Sequence, residues 1–170
     1  MCGITGIINF KSKVDQDKLD QSIHSLRHRG PDGNGKYINV KGNVALGHTR
    51  LSIIDLSENG AQPMNKFERY HITFNGEIYN YVELKKELNK IGYSFDTNTD
   101  TEVLMAMYDR YGLSCLEHLD GMFSFVIYDE RENKLFGARD RFGEKPFFYT
   151  FDEQSFSFAS EMKGLFPFGV

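Results

Sequence analysis

The sequence is poor in cysteine. Its 170 residues include only Cys2 and Cys115. Two cysteines are too few for the disulfide framework of a small secreted protein, and they leave no ligand set for a zinc site. We therefore expect no metal centre, and we expect the protein to work in a reducing compartment, the cytoplasm.

Clusters of basic residues and long apolar runs are also absent from the sequence. The net charge is −4 with a pI near 5.7, and the lysines and arginines are scattered along the chain. No stretch approaches the roughly 20 apolar residues of a membrane span. The opening "MCGITGIINF" has neither the basic leader nor the apolar length of a signal peptide. We expect neither nucleic acid nor a membrane as a partner.

The chain is long enough for one domain, and its first half mixes helical and irregular patterns. A chain of this length buries roughly 70% of its unfolded surface. Leu19, Ile23 and Leu26 share one face of a helix predicted over 17–29. Segment 27–36, which contains a proline and several glycines, is predicted to be a loop.

A second helix is predicted over 80–92, where the glycine at its end stops it. Its inward-facing residues are predicted to be Tyr81, Leu84, Leu88 and Ile91. A third helix is predicted from "TDTE", which has the pattern of a capping box with Thr99 as N-cap and Glu102 three residues later. That assignment leaves the carboxylate of Asp100 free in the first turn.

The C-terminal half reads as strands joined by short turns. "GMFSFVIYD" (121–129) is almost continuously apolar, which is the pattern of a strand covered on both faces. Two antiparallel sheets packed together, with the helices outside, would explain this burial. We therefore predict an α+β fold, a four-layer α/β/β/α sandwich of two antiparallel sheets, with the start of the chain inside one sheet.

Cys2 allows two interpretations. It can be a small hydrophobic residue at the start of a strand. Alternatively, removal of Met1, which is favoured when the next residue is small, gives an N-terminal residue with both a thiol and a free α-amine. An α-amine with a pKa of about 8 can act as a general base near neutral pH, and a thiol beside an ammonium shifts readily towards thiolate. One residue would then supply nucleophile and base.

Seven blocks spread over nearly the whole chain decide between these interpretations. They are "MCGITGI", "RHRGPDG", "LGHTRLSIIDLSENGAQPM", "FNGEIYNYVELKKEL", "TDTEVL", "LDGMFSFVIYD" and "ARDRFGEKPFFY". Their order and spacing resemble the glutaminase domain of glutamine-dependent asparagine synthetases, which are class II amidotransferases of the N-terminal-nucleophile hydrolase fold. The resemblance implies one class II glutamine amidotransferase domain over 1–170, with Met1 removed and Cys2 as the catalytic nucleophile.

The resemblance places Asn75 and Gly76 at the oxyanion hole. An Asn amide and an unobstructed backbone N–H are good donors to a tetrahedral oxyanion. "NG" is also a hairpin turn signal, but the residues after it lead into a helix, so the functional interpretation is favoured. Glu77 lines the glutamine pocket by resemblance, although from the sequence alone it could equally be a solvated loop carboxylate.

The resemblance assigns the two ends of the amino-acid substrate to two charged residues. Arg50, whose guanidinium can hold a carboxylate with two parallel hydrogen bonds, would bind the α-carboxylate. Asp100 would bind the α-ammonium, although a carboxylate there could also complement the helix dipole. Backbone groups are expected to shape the rest of the pocket, and they belong to Leu51, Ser52, Ile53 and Ile54.

The remaining conspicuous residues are expected to cover the substrate or to support the structure. "RHRGPDG" resembles a loop that covers bound glutamine, with Gly30 and Gly33 as hinges. We expect His28, His48 and Cys115 to be structural or packing residues. The charges of "ARDRFGEKPFFY" are expected to organise a turn or to face a neighbouring domain.

The resemblance implies a reaction and a set of partners. The chain is expected to hydrolyse L-glutamine and to supply ammonia to an ATP-dependent synthetase domain or subunit, which these 170 residues lack. ATP and Mg²⁺ would belong to that synthetase domain, so no cofactor is expected here; a homodimer is a further possible assembly. Two alternatives stay open: a non-catalytic glutamine-binding or interaction module, and an amidotransferase whose acceptor is not aspartate.

Overall fold

A computed structural model describes residues 1–52 and 58–170 of the chain. Within these residues the strands are β1 (Gly3–Asn9), β2 (Gly33–Ile38), β3 (Val44–Arg50), β4 (Met64–Lys66), β5 (Tyr70–Ile78), β6 (Gly121–Asp129), β7 (Lys134–Arg139), β8 (Phe148–Phe151) and β9 (Ser155–Ala159). The α-helices are α1 (Gln16–Ser25), α2 (Tyr81–Lys90) and α3 (Asp100–Tyr111). Short 3₁₀ turns lie at Arg27–Arg29, Glu58–Gly60, Gly112–Glu117, Met162–Gly164 and Phe166–Phe168.

The strands form two antiparallel sheets. One sheet has the order β2-β3-β1-β9-β8, and the other has the order β4-β5-β6-β7. Strand β1 therefore lies in the middle of its sheet, between β3 and β9. The prediction that the chain begins inside a sheet is confirmed, and the residue that precedes β1 is held at the end of a central strand.

Apolar side chains fill three layers of contact. Ile4, Leu46 and Tyr128 belong to the cluster in which the two sheets pack against each other. Helix α1 covers the outer face of the first sheet, and helices α2 and α3 pack on the outer face of the second. The α+β, four-layer α/β/β/α sandwich is thereby confirmed.

Strand β6 shows why one segment of the sequence is continuously apolar. Val126 packs in the cluster between the sheets, whereas Phe125 and Ile127 pack under α2 and α3. Successive side chains of a strand point to opposite faces. Because both faces of β6 are covered, both sets of side chains are apolar.

Two local predictions are wrong. The segment predicted to be a loop over 27–36 contains a 3₁₀ turn at Arg27–Arg29 and the first part of β2, which starts at Gly33. An edge strand such as β2 is held by its backbone ladder to β3, so it needs no apolar alternation. Ile91 is 54% exposed, because α2 ends at Lys90 before the helix can turn this side chain inward.

The start of α3 confirms half of the predicted capping box. Thr99 is the N-cap, and its hydroxyl accepts a hydrogen bond from the N–H of Glu102 at 3.2 Å. The Glu102 carboxylate does not return to Thr99. It accepts hydrogen bonds from the N–H groups of Asp96 and Thr97 and pairs with the ammonium of Lys66. Glu102 therefore fastens β4 to the loop before α3.

The described residues contain neither a membrane-spanning helix nor a metal-binding cluster. No helix in residues 1–52 and 58–170 has the length and apolar character needed to cross a membrane. In the same residues, no three His, Cys, Asp or Glu side chains gather as a metal-binding group would.

Candidate active site

Cys2 lies directly before β1, against the end of β3. Its Sγ is 3.4 Å from the backbone nitrogen of Leu51, which donates to it, and 3.6 Å from the Leu51 carbonyl oxygen. The guanidinium of Arg29 donates from Nε to the Cys2 carbonyl at 2.9 Å. The backbone and the sulfur of Cys2 are thus both fixed, unlike those of a frayed terminus.

Two opposing effects act on the Cys2 thiol. Burial raises its pKa, because the thiolate loses solvation. The Leu51 N–H, the N-terminal ammonium on Met1 and the guanidinium groups of Arg50 and Arg29 lower it, and burial prevails. The expected shift towards thiolate is therefore not reached in a chain that keeps Met1.

A pocket beside Cys2 brings together most of the predicted site residues. Arg50 reaches it from the end of β3, Gly76 and Glu77 from β5, and Asp100 from the first turn of α3. Seven of the residues that the sequence predicts for the site line this pocket: Cys2, Arg50, Leu51, Ser52, Gly76, Glu77 and Asp100. Their roles in binding stay predictions.

Asp100 is a buried carboxylate that lines this pocket. It is 5% exposed, and its Oδ2 accepts a hydrogen bond from the N–H of Ile78 at 3.0 Å. Burial raises the pKa of Asp100 to about 6, hydrogen bonds from Ile78 and Thr101 oppose the rise, and the nearby charge of Glu77 adds to it. Two carboxylates that repel each other in a cleft favour the binding of a cation.

Asn75 is buried next to the pocket and does not line it. The residue is 1% exposed, and its Nδ2 has no hydrogen-bond partner in residues 1–52 and 58–170. A buried amide donor without an acceptor is costly unless something else accepts its proton. This donor therefore suits a ligand oxygen that carries negative charge.

Gly76 is required by the close approach of β6. A Cβ atom on Gly76 would lie 2.2 Å from the carbonyl oxygen of Met122 and 2.7 Å from the Cα of Phe123. No side chain fits there without a backbone shift. The glycine thus allows β5 and β6 to pack closely beside the predicted oxyanion donors.

The segment after Arg50 contributes backbone to the pocket as far as the structure describes it. Leu51 holds the sulfur, and the N–H of Ser52 donates to Oδ2 of Asp32 at 2.8 Å. Two further predicted residues, Ile53 and Ile54, lie outside the described residues.

Residues 1–169 match the family described as glutamine amidotransferase domain. The chain belongs to this family. It is 45% identical to asparagine synthetase [glutamine-hydrolyzing] 3 of Bacillus subtilis, with 97% of this chain and 27% of that protein covered. It is 41% identical to the putative asparagine synthetase [glutamine-hydrolyzing] 2 of Methanocaldococcus jannaschii, covering 97% of this chain and 35% of that protein.

The fold of this amidotransferase domain is shared with more distant proteins of known structure. The glutamine phosphoribosylpyrophosphate amidotransferase of B. subtilis superposes with a TM-score of 0.84 over 99% of this chain and 44% of its own, at 25% identity. The domain thus spans between a quarter and a half of the proteins it matches here.

Two polar residues at the site of this amidotransferase domain were not predicted from the sequence. Gln62 lines the pocket, accepts the N–H of Phe74 at 2.7 Å and donates to the hydroxyl of Thr101. Asp32 holds Ser52, as described above. Both lie in the blocks that carry the family resemblance, but a single glutamine or aspartate in a turn-rich segment gives no signal of its own.

The remaining family block organises a turn, as one of its two predicted roles requires. The Asp140 carboxylate accepts hydrogen bonds from the N–H groups of Phe123, Glu144 and Lys145. Arg139 donates to the carbonyls of Gly143 and Lys145. These contacts close the segment after β7 on itself.

Proposed function

We propose that this chain hydrolyses L-glutamine to L-glutamate and ammonia through the thiolate of Cys2, after Met1 has been removed. The observation that carries the proposal is the convergence of Cys2, Arg50 and Asp100 on one pocket. A nucleophile, a guanidinium and a buried carboxylate match the carboxamide, the α-carboxylate and the α-ammonium of glutamine.

The anchors act before any bond changes. Arg50 accommodates the α-carboxylate, because its planar fork suits two carboxylate oxygens. Asp100 and Glu77 attract the α-ammonium, which relieves the repulsion between their two carboxylates. The side chain of glutamine then extends towards the sulfur, and its carboxamide becomes an intramolecular neighbour of the nucleophile.

The first chemical step forms a carbon–sulfur bond. The thiolate of Cys2 attacks the carboxamide carbon, and the carbonyl oxygen takes up the negative charge. The Nδ2 amide of Asn75 and the N–H of Gly76 donate to this oxyanion. The α-ammonium of Cys2 gives a proton to the departing nitrogen, the carbon–nitrogen bond breaks, and ammonia leaves a γ-glutamyl thioester.

The second step consumes water. The α-amine of Cys2, now neutral, takes a proton from a water molecule as that molecule attacks the thioester carbon. The same donors stabilise the second oxyanion. The carbon–sulfur bond then breaks, glutamate is released and Cys2 returns as a thiolate beside its α-ammonium.

Removal of Met1 is essential in this scheme. While Met1 is present, the nitrogen of Cys2 is an amide and has no basicity, and burial keeps the pKa of the thiol raised. Processing moves the positive charge onto Cys2 itself, which lowers the thiol pKa. The unprocessed chain is therefore an inactive precursor.

The names of the relatives support a proposal about the wider role of the chain. We propose that its ammonia is used by an ATP-dependent synthetase domain or subunit, that ATP and Mg²⁺ belong to that part, and that this domain needs no cofactor. We propose that the reaction takes place in the cytoplasm. Neither nucleic acid nor a membrane is proposed as a partner. Assembly of the chain into a homodimer is compatible with this role. The relatives named asparagine synthetase support the part of this proposal that concerns a synthetase partner.

A second acceptor class has one observation in its favour. The chain is 38% identical, over its whole length, to a Gibberella zeae protein named amidase chry2, of which it covers 27%. The chain has the same sequence identity, 38%, to the asparagine synthetase B of Escherichia coli. An acceptor other than aspartate therefore stays a candidate, with the glutamine half of the reaction unchanged.

The proposal is tested by N-terminal mass spectrometry together with glutaminase assays. The processed protein should release ammonia from glutamine, and Cys2→Ala should abolish the release while the fold persists. A glutamine-like diazoketone should label the processed chain once, at Cys2. Cys115 is the internal control, because it is buried and burial raises the pKa of its thiol to about 12. Labelling at Cys115, or full activity with Met1 retained, would contradict the mechanism.

A further inference from the structure

His48 is a buried histidine that takes no part in the steps above. It lies on β3, two residues before Arg50, and is 1% exposed. His48 lines the same pocket as Cys2. Burial lowers the pKa of His48 to about 4, and the charge of Arg50 acts in the same direction. The imidazole is therefore neutral at neutral pH.

The side chain of His48 joins the two sheets. Its Nε2 lies 3.2 Å from the carbonyl oxygen of Phe74 on β5. A carbonyl oxygen only accepts hydrogen bonds, so the neutral ring must carry its proton on Nε2 and donate it. Nδ1 then holds the lone pair, and it has no hydrogen-bond partner in the described part of the chain.

Phe74 depends on side chains because strand β4 is short. The β4–β5 ladder runs from Lys66 opposite Tyr70 to Met64 opposite Ile72 and stops there. Beyond it, the N–H of Phe74 donates to the side-chain oxygen of Gln62, and the carbonyl of Phe74 accepts from the imidazole. Buried backbone groups require such partners.

The peptide group that His48 holds is the one that joins Phe74 to Asn75. Because a peptide group is planar, a donor fixed at the Phe74 oxygen also orients the N–H and the Cα of Asn75. Arg50 lies on the same face of β3 as His48, since side chains alternate along a strand. The imidazole thus connects β3, which carries Arg50, to β5, which carries Asn75 and Gly76.

We propose that His48 is a positioning residue for the oxyanion hole: its neutral Nε2–H holds the Phe74–Asn75 peptide at the orientation that aims Asn75 at the reacting carbonyl. The inference rests on the proposed glutaminase reaction. It predicts that the loss of this hydrogen bond lowers kcat and leaves substrate binding almost unchanged, because only the transition state carries the oxyanion.

Three variants separate positioning from plain stability. His48→Phe keeps a planar ring and has no donor, whereas His48→Gln can again present an N–H to the Phe74 carbonyl. Thr73→Val is the matched control. The Thr73 hydroxyl is fully buried and donates to the Gly47 carbonyl at 3.0 Å, so its loss removes a hydrogen bond between the same two strands without touching the Phe74–Asn75 peptide.

The variants are compared by kcat, KM and melting temperature in the processed protein. We expect His48→Phe to lower kcat about tenfold or more, the effect of losing one buried hydrogen bond, with KM changed less than about twofold. His48→Gln should recover most of kcat. Thr73→Val should lower the melting temperature to a similar extent as His48→Phe and keep kcat near the wild-type value.

A transition-state-like ligand gives a second readout that does not need turnover. The sulfur of Cys2 adds reversibly to the aldehyde carbon of L-glutamate γ-semialdehyde, and the aldehyde oxygen then occupies the oxyanion site. His48→Phe should bind this aldehyde about tenfold more weakly, in line with the loss of kcat, and should bind the product glutamate as before.

Two results would overturn the inference alone: equal losses of kcat in His48→Phe and Thr73→Val, or a His48→Gln variant no better than His48→Phe. If His48→Phe does not fold, unchanged aldehyde affinity and kcat in a folded His48→Asn variant, whose shorter amide does not reach the Phe74 carbonyl, would overturn it equally. A wild-type protein that is processed and yet inactive on glutamine would overturn the proposed function as well.

Discussion

At the scale of single residues, the surroundings of Asp100 in the pocket oppose the ionisation of its carboxyl group. Its carboxylate is buried beside Glu77, and burial raises its pKa to about 6. Folding therefore disfavours the ionised form, which the proposed binding of the α-ammonium requires. Such a cost is typical of functional sites, where a ligand supplies the missing counter-charge.

The raised pKa of Asp100 predicts how stability varies with pH. An unfolded aspartate ionises near pH 4, whereas the folded one keeps its proton up to about pH 6. Between these values the unfolded state binds fewer protons, so the free energy of unfolding should fall as pH rises and stay at the lower level above pH 6. Asp100→Asn should remove this fall and be more stable at pH 8 by on the order of 1–3 kcal/mol.

The same titration should appear in catalysis with the opposite sign. If the α-ammonium of glutamine binds the ionised Asp100, as we propose, kcat/KM should rise with pH through about 6. Asp100→Asn should raise KM strongly and lose this dependence. Urea unfolding and glutaminase assays at the same series of pH values check both trends. Equal free energies of unfolding for the wild-type protein and Asp100→Asn from pH 4 to pH 8 would show that folding does not raise the pKa of Asp100.

At the scale of secondary-structure elements, β5 and β6 approach each other closely at Gly76, one of the two proposed oxyanion donors. Gly76 lies opposite Phe123 in this ladder, and a Cβ at Gly76 would overlap the Met122 carbonyl. Since the obstacle is backbone, a larger residue must push the strands apart.

Gly76→Ala should therefore damage both stability and chemistry. Overpacking of this kind costs roughly 1–3 kcal/mol, and the displaced strand should also lower kcat. Gly137→Ala on β7 is the matched control, since the nearest atom to a Cβ there lies at an ordinary contact distance of 3.5 Å and the φ of Gly137 is not positive. Thermal unfolding and ammonia release measure both variants. An unaffected Gly76→Ala would contradict the close approach, and equal losses in Gly76→Ala and Gly137→Ala would show that the effect is not specific to this strand contact.

Elements whose sequence pattern reflects burial could be predicted, and those held by backbone alone could not. The strand predicted at 121–129 has the observed bounds of β6, because burial on both faces requires an apolar run. Strand β2 was missed, since its pairing to β3 places no demand on side chains. The role of Glu102 was half missed, because the competing partner Lys66 comes from a distant strand.

At the scale of the whole molecule, the candidate site is assembled from residues of both sheets and of an outer helix. Cys2 and Arg50 come from one sheet, Asn75 from the other, and Asp100 from a helix on the outer face. Local patterns and family blocks pointed to each of these residues. They could not point to Gln62, because its role depends on where β4 stops and on which backbone groups then lack partners.

Because each residue of the proposed reaction lies between Cys2 and Asp100, these 170 residues should split glutamine without help from a nucleotide. The sequence contains no glycine-rich phosphate-binding loop, which ATP chemistry of the P-loop kind requires. The processed protein should therefore release ammonia at the same rate with ATP and Mg²⁺, without them, and in the presence of a chelator, and it should form no asparagine from aspartate.

The measurement is ammonia release and amino-acid analysis under these three conditions, with Cys2→Ser as the control for background hydrolysis. Calorimetry with ATP provides a binding readout that does not depend on turnover. Tight ATP binding by this chain, or glutamine cleavage that stops when ATP is removed, would contradict the assignment of all nucleotide chemistry to a separate synthetase part. A rate that rises when such a part is added in trans would instead show that contact between the two parts stimulates the glutaminase reaction.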